Sequence, residues 1–184
     1  TNESLGDKLA LNLLQQARLL ISDYRYQEAG AVLQRALPAQ NDSAIEKQIS
    51  FELARISYQT GQTGKALTHL RNAGVSTETR RGRPVVDSGE GLRLLANIYR
   101  VTGEFTLMHK ARDAEGRYNP DLSWYLYDQA LDELAAGGRG QQRARTLFRQ
   151  SHMAASAGGY ADLEHLSRLQ ICALQGDSET PGLC

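Results

Sequence analysis

Tyr26-Gln-Glu-Ala-Gly-Ala-Val-Leu-Gln-Arg-Ala-Leu37 returns in altered form further along the chain. Ala17, Ala29 and Ala36 recur as Ala54, Ala66 and Ala73, each pair separated by 37 residues (54 − 17, 66 − 29, 73 − 36). A third copy centres on Ala96, Gly103 and Phe105. Self-similarity at a period of about 20–50 residues marks stacked structural repeats, each unable to bury its apolar face alone. The period therefore points to a helical-repeat scaffold before any chemistry is considered, and it does not name a partner.

Outward from that stretch, helical periodicity runs through nearly the whole chain. Leu9, Leu13, Ala17 and Leu20 fall at three- and four-residue spacings in a first helix over 5–23. A second covers 27–37 and stops at Pro38, which cannot continue it. Ser43 with Glu46 reads as a capping box opening a third helix, which ends near Gly61. A fourth helix covers 64–73, and 74–88 reads as a long loop in which 83–86 is extended but too short and isolated to pair. Helices over 90–102 and 106–117 meet at Gly103. Asn119 as cap and Pro120 at the first helical position open a seventh helix reaching 136. Helices over 141–156 and 160–174 follow, divided by Gly158 and Gly159. The expected fold is all-α: an α-solenoid of about nine antiparallel helices in a single domain over 1–184. Clear repeats span 9–115, looser helical hairpins 120–174, and a cysteine-containing tail 175–184.

Composition narrows the function. The 184 residues are 41% apolar and carry 21 basic against 21 acidic side chains, a formal net charge of zero. A dedicated nucleic-acid binder carries a basic excess, so no nucleic-acid partner is expected. No run of about 18 apolar residues suggests a membrane span. The chain starts at Thr1, so a cleaved signal, a lipid anchor upstream or simple trimming would each fit. Of the 2 cysteines, Cys172 lies in an apolar helical run and Cys184 follows Gly176, Pro181 and Gly182. A disulfide between them would staple the tail to the last helix and imply an oxidising compartment such as a bacterial periplasm. The alternative is a buried thiol and a free tail thiol in a reducing cytosol.

The helix pairs resemble the tetratricopeptide repeat, a helix–turn–helix unit of about 34 residues. Its marks are a small residue in mid helix A, a turn glycine, an aromatic opening helix B, and two alanines seven apart in helix B. They fall on Ala17, Tyr26, Ala29 and Ala36 in the first unit, with Tyr24 replacing the glycine. In the second they fall on Ala54, Gly61, Ala66 and Ala73, with Thr63 replacing the aromatic. The third matches over Leu95–Phe105, but Met108 and Glu115 stand where helix B should carry alanines. Units spaced by 37 and 42 residues (54 − 17, 96 − 54) imply irregular packing rather than a consensus array.

The resemblance implies a concave face, lined by the A helices, that takes an extended peptide or a partner helix. By register that face holds Leu14, Arg18 and Ile21, then Gln48, Phe51, Arg55, Tyr58 and Gln59, then Arg93, Asn97 and Arg100. One arginine or more in every unit makes an acidic peptide or a free C-terminus the expected ligand. Arg93 and Asn97 resemble half of a carboxylate clamp, although the other clamp positions do not match. The bland alternative pairs Arg55 with Glu52 and Arg100 with Glu104.

Other features carry less. Thr79-Arg-Arg-Gly-Arg-Pro84 is the most basic stretch, but it lacks the interleaved aromatics of a nucleic-acid contact and reads as a solvated loop, with partner docking as the main alternative. Gly137-Gly-Arg-Gly140 has no strand before it and no Lys-Ser/Thr after it, so it reads as a helix–helix turn. Asp128, Asp132 and Glu133 are expected to pair with Arg139, Arg143, Arg145 and Arg149 across that hairpin. Trp124 and Tyr127 share a helical face and read as core, the alternative being an exposed patch that anchors a partner. His69, His109, His152 and His165 show no metal spacing, and no nucleophile motif appears, so no metal, cofactor or catalysis is expected. The resulting expectation is a non-enzymatic TPR-like scaffold, periplasmic or outer-membrane-associated, supporting assembly of an envelope, secretion or pilus complex. The alternative is the ligand- or protein-sensing domain of a cytoplasmic transcriptional regulator.

Overall fold

The computed structural model describes residues 4–77, 79–80, 83–84, 89–118, 122–137 and 140–175. Among them are nine α-helices packed in sequential antiparallel pairs: α1 (Leu5–Ser22), α2 (Tyr26–Ala36), α3 (Ser43–Gln59), α4 (Thr63–Asn72), α5 (Gly89–Thr102), α6 (Phe105–Tyr118), α7 (Leu122–Ala136), α8 (Gly140–Gly158) and α9 (Ala161–Gln175). The chain divides into two compact units, Thr1–Ile98 and Tyr99–Cys184, with the boundary inside α5.

In the first unit, α1 pairs with α2 and α3 with α4, and α3 also packs on α1 and α2. Close approach depends on short side chains: Ala17, Ala29, Ala36, Ala54, Ala66 and Ala96 are all fully buried. Ala73 is half-buried, so the last of the repeated alanines is less enclosed than its counterpart Ala36. Around them Leu14, Leu33, Ile49 and Leu53 fill the interior of the α1–α2–α3 layer. Tyr24, in the turn between α1 and α2, has φ 61°, beside φ 75° at Gly61 in the turn between α3 and α4. Left-handed backbone is uncommon for a side chain of that size. At the end of α2, Pro38 falls inside a 3-10 turn, Leu37–Ala39.

Helix starts correct part of the sequence reading. Asp42, not Ser43, caps α3, its Oδ1 accepting from the Ala44 amide at 2.7 Å. The reason lies on α1. Asp7 Oδ1 accepts the amides of Asn41 and Asp42 at 2.8 and 3.3 Å, fixing the backbone just before α3 so that Ser43 is already helical. Asp7 also closes a capping box with Ser4 at the start of α1, a device the periodicity did not reveal.

The expectation that 83–86 cannot pair is also overturned. β1 (Thr79–Arg80) and β2 (Arg83–Pro84) pair antiparallel, Thr79 opposite Pro84 and Arg80 opposite Arg83. The partner is local, and pairs this short escape a search for alternation over four or more residues. The capping role of Asn119 and Pro120 lies outside the described residues.

In the second unit, α8 packs against both α7 and α9, and α6 against α7. Phe148, Ala144 and Ala155 on α8 are fully buried between Tyr127 and Ala130 of α7 and Leu163 and Ile171 of α9. Trp124 meets Tyr127 edge-on at 6.0 Å, and Tyr127 meets Phe148 at 5.3 Å, placing these aromatics in or against the core as their spacing implies. Serines take the small-residue role here. The Ser151 hydroxyl donates to the Ser123 carbonyl at 2.8 Å and lies 3.1 Å from the Ser167 hydroxyl, tying α7, α8 and α9.

Candidate functional site

The open stripe of α3 is the surface where burial and chemistry diverge. Ile45, Ile49, Leu53 and Ile56 turn inward. Gln48, Arg55 and Gln59 are exposed, and Phe51 and Tyr58 are half-buried, all on the remaining arc. α1 contributes from beside it. Ile21 is half-buried against the core and Arg18 half-exposed, whereas Leu14 is fully buried and offers no surface. The helical register extrapolated for Leu14 is sound, but the close approach of α2 and α3 covers it.

Glu52 binds the two helices together here. Its carboxylate is 3% exposed and takes Arg18 Nε at 2.8 Å on one oxygen and Arg55 Nη1 at 2.9 Å on the other. The pairing of Arg55 with Glu52 is the one the bland sequence alternative gives, but the link to Arg18, 34 residues away, is not local and could not be read from helical spacing. Two charge-assisted bonds from different helices satisfy a buried carboxylate that would otherwise be costly.

Arg93 and Asn97 are half-buried on α5. Arg100 belongs to the second unit and donates to Asp132 at 3.3 Å rather than to Glu104, which accepts from Thr102 instead. Burial of Asp132 inside the unit attracts the arginine more strongly than a solvated neighbour on its own chain segment does.

The most enclosed charges of the second unit were missed. Arg112 on α6 is 2% exposed and surrounded by carboxylates: Asp132 at 2.7 Å from its Nε, Asp128 at 3.4 Å from Nη1, and Glu115 in direct contact with Nη1. Burial works against the guanidinium charge, but the Asp132 hydrogen bond and the charges of Asp128, Asp132 and Glu115 outweigh it and raise its pKa. Burial pushes Asp132 above the usual carboxylate range despite both arginines. Asp128 and Asp132 both meet Arg112 of α6; of the expected α7–α8 pairs, Glu133 with Arg143 at 3.2 Å is formed, while Arg139 lies outside the described residues. The available signals were Asp128 and Asp132 four apart on one helix face and Arg112 three before Glu115.

A search of protein-family models and of curated proteins returns no match to the chain. Among the described residues no group of His, Cys, Asp and Glu has an arrangement that could hold a metal ion, and no helix is long and apolar enough to cross a membrane. Cys172 is half-buried on α9; its expected pairing with Cys184 involves a residue outside the described ones.

Proposed function

We propose that this protein is a non-enzymatic scaffold of tetratricopeptide-like repeats that docks an extended segment or helix of a partner on the open face of α3 beside α1. The observation that carries the reading is the placement of Phe51 and Tyr58. Both stay half-buried on the open arc of a helix whose other faces are packed, with Arg55 between them and Arg18 alongside. Aromatic side chains partly enclosed by fixed polar neighbours make effective anchors, because little side-chain freedom is lost on binding. Sequential antiparallel pairing with buried alanines supports a repeat scaffold, and continuation of the stacking into a solenoid belongs to the same proposal. Assembly of a bacterial envelope, secretion or pilus complex, with the protein periplasmic or tethered to the outer membrane, is the setting we favour, resting on the expected Cys172–Cys184 bridge.

Affinity capture from the native host with the wild type and with the Phe51→Ala/Arg55→Ala double variant tests the reading. The double variant should lose the captured partner while keeping its helical circular dichroism. Unchanged recovery would remove α3 as the docking face.

A further inference from the structure

Arg18 and Arg55 are not merely two surface charges that happen to be close. Glu52 holds one nitrogen of each, and among the described residues neither arginine makes any other hydrogen bond or ion pair. Arg18 keeps Nη1 and Nη2 unused, and Arg55 keeps Nε and Nη2. Their side chains remain 38% and 46% exposed, while the carboxylate that orients them is 3% exposed. The cluster of two guanidinium groups and one carboxylate thus carries one excess positive charge. Its remaining donors are already fixed in direction by a group that solvent hardly reaches. Such a pair accepts one further carboxylate without first paying to immobilise two flexible side chains.

The flanking residues say how that carboxylate is carried. Phe51 lies four positions before Arg55 on α3 and Tyr58 three positions after it, so half-buried aromatic ground continues along the helix on both sides of the charge. A chain terminus would use only one side. From this arrangement we infer that the Arg18–Glu52–Arg55 triad is a recognition site for an internal Asp or Glu side chain of an extended partner segment, with apolar residues of that segment resting on Phe51 and Tyr58. Glu52 is the positioning residue. The inference rests on the scaffold reading above and specifies the ligand for that same face.

The test uses the full chain, immobilised, and pools of short end-capped peptides with one residue type fixed at the centre and random apolar or neutral residues elsewhere. Pools centred on Glu or Asp should be retained about fivefold over those centred on Gln or Asn, the ratio that one partly exposed charge pair gives. Arg18→Gln and Arg55→Gln should each erase that ratio, and Arg55→Glu should turn the preference toward Lys- and Arg-centred pools, with circular dichroism confirming that each variant folds. Equal retention of Glu and Gln pools overturns the inference, as does an acid preference that survives both Gln variants. Equal binding of pools whose sole carboxylate is a free C-terminus overturns it too. If neutral pools bind and Phe51→Ala abolishes that binding, but no acid preference appears, the acidic specificity falls and the scaffold reading stands. If no pool is retained, both fall.

Discussion

Arg112 of α6 and Asp132 of α7 lie 2.7 Å apart, each 2% exposed, in the interior of the second unit. Glu115 stands where the spacing of Ala36 and Ala73 leads one to expect an alanine; the position holds a buried charge instead, and Arg112 answers it. Removing the guanidinium alone would take away the cation that three buried acidic groups share, while Arg100 still reaches Asp132. Arg112→Met is expected to cost about 3–5 kcal/mol, measured by urea denaturation. Adding Glu115→Gln and Asp132→Asn to that variant should recover part of the loss, because neutral amides no longer need the missing cation. A single variant no less stable than the triple would show that the cluster contributes little.

Acid should act on two aspartates in opposite senses. The amides of Asn41, Ser4 and Asp42 and the Ser4 hydroxyl hold Asp7 below the usual 3.8. Its contribution is complete above the unfolded-state value and is lost as pH falls through the folded one. Burial raises Asp132, so the folded state takes up its proton first, and that group favours the fold more as pH falls. Thermal midpoints followed across the carboxylate range should therefore show a flatter acid decline for Asp7→Asn and a steeper one for Asp132→Asn than for the wild type.

Two helical glycines should respond oppositely to the same substitution. A Cβ on Gly6 would collide with the Ala39 backbone carbonyl oxygen, which cannot swing aside as a side-chain tip would. Gly30, within α2, has nothing within 4 Å of that position. Gly6→Ala should destabilise by about 1–3 kcal/mol, and Gly30→Ala should stabilise by about 0.5–1 kcal/mol. Chemical denaturation of both variants checks the pair, and stabilisation by Gly6→Ala would contradict the close approach of α1 to the turn after α2.

The compartment is open to a direct chemical test. Intact mass after denaturation and alkylation without reductant should show neither Cys172 nor Cys184 modified, and both modified once reductant is added. Labelling of both without reductant would favour the cytosolic alternative.

The helices were legible because their periodicity is local: the expected and observed spans agree within a few residues from α1 to α9. The alanines were legible because their recurrence reflects a packing distance. The links set by the fold rather than by spacing were not. Ser43 looks as good a cap as Asp42 until Asp7 is seen gripping the two amides before it. Arg100 has an acid four positions away, yet turns to Asp132. Exposure of Gln48, Arg55 and Gln59 follows the helical period of α3, whereas Leu14, placed on the same face by register alone, is covered by the neighbouring helices. Glu52 was recognised only as a local partner of Arg55, because its bond to Arg18 depends on how α1 and α3 are brought together.

The grip of Asp7 on the Asn41 amide couples the beginning of the first helix to the link that launches the third. That proton can exchange with solvent only when the two segments separate, an event larger than fraying of one terminus. In deuterium, Asn41 should consequently retain its hydrogen far longer than its place in a connecting segment would suggest, and Asp7→Asn should release it early. One amide signal would then report the opening of the entire N-terminal layer.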